Sequence, residues 1–192
     1  ALLCGGLPAG TSTLMIGPAG TGKSTISTRF AVAAANRGER AVMYVFDENI
    51  GTFRSRSRKL RLGAENAITN GLLTVQQIDP AELSSGEFSN TVRRAVEGTD
   101  GLGQPAKVIV VDSLNGYLNA MPEEKFLTAQ LHELLAYLGQ NGVVTIMTVT
   151  QAGMVSVMQS PVDATYQLPP KAIVDILDAP PPPDVYLSPA RD

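Results

Sequence analysis

The fold is decided by the stretch Gly17-Pro18-Ala19-Gly20-Thr21-Gly22-Lys23-Ser24, which matches the pattern G-x-x-x-x-G-K-[ST] at every fixed position. Glycines let the backbone turn so that several N–H groups face one phosphate. In such a loop the lysine places a cation on the β- and γ-phosphates, and the hydroxyl that follows it reaches Mg²⁺. The alternative is an ordinary glycine-rich turn. We predict a phosphate-binding loop with nucleotide contacts from Gly17, Pro18, Ala19, Gly20, Thr21, Gly22, Lys23, Ser24 and Thr25.

The residues on both sides of this loop supply the context that the motif requires, namely a strand before it and a helix after it. Thr11 to Ile16 predicts a short strand, and Ser24 to Asn36 predicts a helix. Further strands are predicted at 41–46, 72–77, 107–112 and 143–149, and further helices at 52–62, 81–97 and 123–141, with a loop at 98–105.

The strands predicted at 41–46, 107–112 and 143–149 are apolar without the alternation of a half-exposed sheet. Such runs are typical of parallel strands that are covered on both faces. Because strands and helices also alternate along the chain, the sequence predicts an α/β fold: a mostly parallel sheet with helices on both faces. Ligands are expected at the carboxyl ends of the strands.

An acidic residue follows the most apolar of these strands. The run Val108-Ile109-Val110-Val111 ends in Asp112, which is followed by Ser113. A carboxylate at the end of a strand beside a phosphate loop can hold Mg²⁺, whereas in isolation it would be an ordinary helix cap. We predict that Ser24 and Asp112 hold the metal.

Two carboxylates, Asp47 and Glu48, close the strand predicted at 41–46. In a parallel sheet they lie on the same edge as the phosphate loop, where a carboxylate could orient or deprotonate an attacking water. The alternative is a helix start, where acidic residues are also favoured. We predict Glu48, Asp47 and Lys23 as catalytic residues.

Two other polar groups of residues have less specific interpretations. Thr148, Thr150 and Gln151 end the last strand and could sense the γ-phosphate; ordinary polarity at a strand end is nearly as good an explanation. A basic stripe on the helix predicted at 52–62 is best explained as a solvated surface, with a subunit-interface or phosphate-contacting role second and nucleic acid third. Its members are Arg54, Arg56, Arg58, Lys59 and Arg61.

The overall composition excludes several classes of protein. A net charge of −3 over 192 residues argues against a strongly basic nucleic-acid-coating protein, and 44% hydrophobic residues exclude a disordered chain. The longest apolar run, at 143–149, is too short for a membrane span. The single cysteine, Cys4, predicts a reducing, cytoplasmic setting, and with the single histidine, His132, it argues against a zinc site.

Taken together, these motifs resemble the KaiC-like branch of the RecA-type ATPases, and in particular the second of two tandem ATPase domains. The resemblance runs from about Leu2 to Tyr166. It is carried by the stretch from Leu2 to Thr11, the phosphate loop, Phe46-Asp47-Glu48, Val110-Val111-Asp112-Ser113, and the stretch from Asn115 to Glu124.

This resemblance implies a RecA-like fold that binds and slowly hydrolyses ATP with Mg²⁺. It also implies a ring-shaped homo-oligomer with ATP at the subunit interfaces. The clock member of the family phosphorylates itself on adjacent Ser and Thr, in a segment that falls near 161–166 here. Thr165 and Tyr166 stand in place of that pair, so autokinase activity does not follow.

The resemblance stops where the composition changes. Seven of the 13 prolines follow Gln167, and proline cannot donate to a sheet ladder. We therefore expect residues 1–166 to form the ATPase domain, incomplete at both ends, and residues 167–192 to form an atypical tail in place of the family's last strands. A shifted reading frame, a truncation or a genuine alternative tail would each explain the change.

Three functions are compatible with the sequence. The first is a KaiC-like signalling ATPase, with autokinase activity as an open question. The second is a DNA-dependent recombinase-type ATPase, which the acidic balance argues against. The third is a nucleotide-binding interaction module without turnover.

Overall fold

The computed structural model describes residues 6–79, 83–119 and 127–151, and five strands and six helices occur in this part of the chain. The autophosphorylation segment predicted near 161–166 and the predicted tail at 167–192 lie outside the described residues. In chain order the elements are β1 Ser12–Gly17, α1 Lys23–Asn36, β2 Arg40–Val45, α2 Ile50–Lys59, α3 Ala64–Thr69, β3 Leu73–Gln77, α4 Ser85–Glu97, β4 Ala106–Asp112, α5 Leu114–Asn119, α6 Leu127–Gln140 and β5 Val144–Thr150.

The strands form one sheet in the order β1-β5-β4-β2-β3, and every neighbouring pair in it is parallel. Parallel neighbours require crossover connections, which the helices supply. All six residues of β2 are buried, as expected for a central strand covered on both faces. The predicted α/β class and the mostly parallel sheet are therefore confirmed.

The hydrophobic core lies on both faces of this sheet. On one face α1 packs through Ala31 and Ala34 against strand residues that include Met43. On the other face α4 and α6 pack through residues such as Phe88 and Leu134. The prediction of helices on both faces is confirmed.

Helix α2 begins at Ile50, two residues before the predicted start. Asn49 explains the difference, because its side-chain oxygen accepts a hydrogen bond from the backbone N–H of Thr52 at 2.8 Å and caps the helix. The helix ends at Lys59 instead of position 62. A separate short helix, α3, follows and was not predicted.

Helix α4 begins at Ser85, later than the predicted start at position 81. Ser84 and Glu87 form a capping box: the backbone N–H of Ser84 donates to Glu87 at 2.9 Å, and that of Glu87 donates to Ser84 Oγ at 3.3 Å. The predicted helix at 123–141 is described from Leu127 to Gln140. The short helix α5 was not predicted.

A buried ion pair fixes the loop at 98–105 to the first residue of β2. The Arg40 side chain is fully buried and donates to both carboxylate oxygens of Asp100, and to the carbonyl of Gln104 at 3.0 Å. Burial by itself would raise the pKa of Asp100, but hydrogen bonds and charge from Arg40, with the amide of Leu102, hold that pKa below its ordinary value. Burial, followed by the charge of Asp100, raises the pKa of Tyr44. This pair lies at the amino end of the sheet.

The longest helices in the described ranges, α1 and α6, have 14 residues each. No helix there is long and apolar enough to cross a membrane.

Candidate functional site

The phosphate loop lies between β1 and α1, as the sequence predicts. Gly20 and Gly22 adopt φ angles of +81° and +89°, a conformation that residues with a Cβ rarely adopt. Lys23 is the first residue of α1. Two of the three motif glycines are therefore required by the shape of the backbone.

The ammonium group of Lys23 folds back over this loop. Its Nζ donates to the carbonyl of Gly17 at 2.8 Å and to that of Pro18 at 2.7 Å. Thr21 Oγ1 also donates to the Pro18 carbonyl, at 2.9 Å. The lysine therefore places its charge at the loop itself.

The end of β5 is bonded to the same loop. The backbone N–H of Gln151 donates to the Gly17 carbonyl at 3.1 Å. Thr150 is held in turn by the amide of Asn115 on α5, which donates to the Thr150 carbonyl at 3.1 Å and accepts from its N–H at 2.7 Å. Asn115 thus connects α5 to the end of β5 through two side-chain hydrogen bonds. This connection was not evident from the sequence.

Asp112 is the last residue of β4 and is 8% exposed. Its Oδ1 accepts a hydrogen bond from the buried hydroxyl of Thr148 on β5. The peptide bond from Asp112 to Ser113 is cis. Because one carboxylate oxygen is bound to its neighbour strand, the side chain of Asp112 has a fixed orientation.

Asp47 follows β2 and is tied to the turn after β4. The hydroxyl of Ser113 donates to Asp47 Oδ2 and accepts from the backbone N–H of Gly116 at 3.2 Å. The backbone of Gly116 also lies close to Phe46 and Asp47. A Cβ added to Gly116 would overlap Phe46 and lie 3.0 Å from Asp47 Oδ1. The aromatic ring of Phe46 packs edge-on against Tyr117 of α5, with ring centroids 6.0 Å apart.

Glu48 has a different partner from Asp47. Both of its carboxylate oxygens accept hydrogen bonds from the guanidinium group of Arg56 on α2, in a two-bond ion pair. The prediction that the basic stripe is a solvated surface is therefore wrong for Arg56, although Arg54 and Arg58 are exposed. The spacing of eight residues lies outside the usual helical pairs, so helical periodicity does not predict this contact.

These elements border an open cavity of about 400 Å³. The structure brings most of the predicted site residues to its wall, together with Ser113, which was not predicted, and Arg56, for which a subunit-interface or phosphate-contacting role was the second interpretation. Gly17, Pro18, Thr21, Thr148 and Gln151 were predicted site residues but do not line the cavity; Thr148 is buried against Asp112 instead. The lining residues are Ala19, Gly20, Gly22, Lys23, Ser24, Thr25, Asp47, Glu48, Arg56, Asp112, Ser113 and Thr150.

The chain resembles known proteins in both sequence and fold. Residues 1–162 match the family model for the ATPase KaiC. Circadian clock protein KaiC3 of Synechocystis sp. is 27% identical over 148 residues, covering 75% of this chain and 29% of the relative. Circadian clock protein KaiC2 of the same organism is 29% identical over 150 residues, covering 75% of this chain and 26% of the relative. The chain thus spans less than a third of these curated relatives.

A solved structure of a KaiC-like protein is similar to this chain in fold. The crystal structure of a KaiC-like protein from the hyperthermophilic archaeon Pyrococcus horikoshii OT3 aligns with a TM-score of 0.66 and 27% sequence identity. The alignment covers 81% of this chain and 68% of the archaeal chain.

Proposed function

Because the chain belongs to the KaiC family of ATPases, we propose that it binds ATP together with Mg²⁺ and hydrolyses the nucleotide at the cavity described above. One observation carries this proposal: Lys23, Ser24, Asp47, Glu48 and Asp112 border the same cavity. They come from the ends of two strands, β2 and β4, and the start of helix α1. They include the group types that phosphoryl transfer from ATP to water uses.

The phosphate chain is bound by the loop in this proposal. Backbone N–H groups between Ala19 and Ser24 donate to the phosphate oxygens, helped by the positive end of α1. Lys23, already bonded to the loop carbonyls, stabilises the negative charge on the transferring phosphoryl group. Positioning and electrostatics account for most of such a reaction, so small displacements are costly.

The donor set fits a magnesium ion. Mg²⁺ prefers oxygen ligands, and the hydroxyl of Ser24 and the carboxylate of Asp112 both border the cavity. These two residues would hold the ion. An ion held there would supply positive charge against the phosphate oxygens of the nucleotide. The hydrogen bond from Thr148 keeps the Asp112 carboxylate oriented for this role.

The attacking water is oriented by a carboxylate after β2, either Asp47 or Glu48. Asp47 is held by the hydroxyl of Ser113, and Glu48 is held by Arg56. A carboxylate within hydrogen-bond reach of the water can align it and accept its proton.

Lys23→Ala tests this proposal, with Lys107→Ala on the exposed side of β4 as the matched control. Binding of a fluorescent ATP analogue and release of inorganic phosphate are measured for the full chain, with and without Mg²⁺. We expect Lys23→Ala to lose both binding and turnover and Lys107→Ala to retain both. Unchanged hydrolysis in Lys23→Ala would overturn the proposal.

Two other results would favour the alternative functions. ATP binding without measurable phosphate release in the unmodified chain would favour an interaction module. Hydrolysis that single-stranded DNA stimulates severalfold would favour a DNA-dependent ATPase.

A further inference from the structure

Arg56 is the one member of the basic stripe that reaches the cavity wall within the described ranges. It lies on the second turn of α2, a helix that starts five residues after β2 ends and therefore begins at the carboxyl edge of the sheet. The guanidinium carbon of Arg56 also lies 5.5 Å from the centroid of the Phe53 ring. Arg56 is thus held on the same side of the molecule as the phosphate loop.

Glu48 occupies only part of the hydrogen-bonding capacity of this guanidinium. Arg56 Nε donates to Glu48 Oε2 at 3.3 Å, and Nη2 donates to Oε1. The third nitrogen, Nη1, is shielded from solvent and has no hydrogen-bond partner in the described part of the chain. A shielded donor on a charged group is costly unless an acceptor reaches it.

The charges around the cavity indicate which acceptor fits. The wall carries three carboxylates, Asp47, Glu48 and Asp112, and two cations, Lys23 and Arg56. Without Arg56, Lys23 would be the only cationic side chain among the residues that line this cavity. Arginine is also the side chain best suited to contact two phosphate oxygens at once.

We propose that Arg56 contacts the terminal phosphate of ATP from within the same chain, and that Glu48 is the residue that positions it. The inference rests on the proposed ATPase function. The terminal phosphate is the part of ATP concerned because the attacking water, oriented by a carboxylate after β2, must lie beside it, and Arg56 is bonded to Glu48 in that segment. An arginine supplied within the chain is an established way to stabilise the charge of a transferring phosphoryl group. Glu48 then acts through Arg56 and not directly on water.

The test compares Arg56→Ala, Arg56→Lys and Glu48→Gln with the original chain. The dissociation constants of ATP and of ADP are measured in the presence of Mg²⁺, together with the turnover number. Arg56→Ala should weaken ATP binding or slow turnover by about tenfold or more, since a charge-assisted hydrogen bond is lost, while ADP binding changes little. Arg56→Lys should recover only part of this loss, because lysine lacks the guanidinium fork.

Glu48→Gln separates the two roles that the carboxylate can have. If Glu48 positions Arg56, Glu48→Gln should reduce the preference for ATP over ADP in the same direction as Arg56→Ala, and the double variant should be no worse than Arg56→Ala alone. Loss of turnover in Glu48→Gln with the ATP preference intact, combined with normal turnover in Arg56→Ala, would overturn the inference.

Arg54→Ala is the matched control, because Arg54 lies on the same helix and is exposed. It should leave both dissociation constants and turnover unchanged. Thermal unfolding of every variant shows whether the fold is kept. If Lys23→Ala loses ATP but Arg56→Ala behaves as the original chain, this inference fails alone; if Lys23→Ala still turns over ATP, the proposed function fails.

Discussion

Thr148 donates its buried hydroxyl to a carboxylate oxygen of Asp112, although the two residues are 36 positions apart in the chain. They meet because β5 and β4 are parallel neighbours in the sheet, with Val111 opposite Met147 in the register. The contact lies directly behind the cavity wall. A residue that does not line the cavity therefore controls the orientation of one that does.

Thr148→Val should raise the Mg²⁺ concentration that ATP binding and hydrolysis require. The variant keeps the volume of the side chain but removes the hydroxyl that orients Asp112, and the loss of such a supporting hydrogen bond typically costs about tenfold or more in metal affinity. A titration of activity with Mg²⁺ measures the shift in the concentration that gives half-maximal rate.

Thr145→Val is the matched control for this prediction. Thr145 lies on the same strand and is equally buried, but its hydroxyl has no hydrogen-bond partner in the described residues. The control should bind Mg²⁺ normally and unfold at the same denaturant concentration as the original chain or a higher one. Equal Mg²⁺ dependence in the two variants would contradict the role of Thr148.

Gly116→Ala should destabilise the fold and disturb Asp47. An added methyl group at this position overlaps Phe46 and lies 3.0 Å from Asp47 Oδ1, so the turn after β4 must move. Overpacking of this kind costs about 1–3 kcal/mol in the free energy of unfolding. Urea denaturation measures that loss, and the turnover number should fall with it.

Gly86→Ala is the matched control, because an added methyl group at Gly86 meets no neighbouring atoms. Gly86 lies in the first turn of α4, and an added Cβ there has no neighbour within 4 Å. Alanine is the better helix former, so this variant should gain up to about 1 kcal/mol. A similar loss of stability in both variants would show that the close approach at Gly116 is not the cause.

Asp100→Asn should lower the stability of the fold in a pH-dependent way. The pKa of Asp100 is held below its ordinary value, so its ionised form stabilises the folded state above the unfolded pKa of about 3.9. That contribution disappears as the pH falls through the lower pKa of the folded state. At pH 7 the variant leaves the buried Arg40 without its counter-charge, which costs about 3 kcal/mol.

Denaturation of both proteins at several pH values checks this expectation, because the difference between them should shrink as the pH falls from 7 toward 2. Glu39→Gln removes a carboxylate from an exposed pair with Arg37, whose side chains are 42% and 61% exposed. This control should change the unfolding free energy by less than about 1 kcal/mol at every pH. If the two substitutions lowered the free energy of unfolding equally, the expectation that the buried Arg40 needs its counter-charge would be wrong.

The order of strands and helices could be predicted because its signals are local. The phosphate-loop motif, the unbroken apolar runs and the leucine spacing of α6 each depend on residues that are neighbours in the chain. The gathering of Lys23, Asp47, Glu48 and Asp112 around one cavity followed from a single further fact, that the carboxyl ends of parallel strands meet at one edge of a sheet. The chemical roles of these residues remain predictions.

The contacts between distant residues could not be predicted. The sequence favours a solvated surface for Arg56, because Glu48 lies eight positions before it, outside the spacing of helical pairs. The turn between β2 and α2 brings the two side chains together. For Thr148 the sequence leaves a γ-phosphate sensor and ordinary strand-end polarity as nearly equal interpretations, and it does not reveal that the hydroxyl donates to Asp112. Arg40 begins a strand as a charged residue, and its partner is 60 positions away in a glycine-rich loop.

The pairing of β1 with β5 has a consequence for the order in which the protein forms during synthesis. Within the described part of the chain, β1 is bonded along its whole length to the last strand, from Ser12 opposite Thr145 to Gly17 opposite Thr150. A ribosome therefore releases the phosphate loop long before the strand that completes its surroundings. The nascent chain has the motif early, but the cavity beside it is completed only when β5 has emerged and paired with β1 across the longest loop of the sheet.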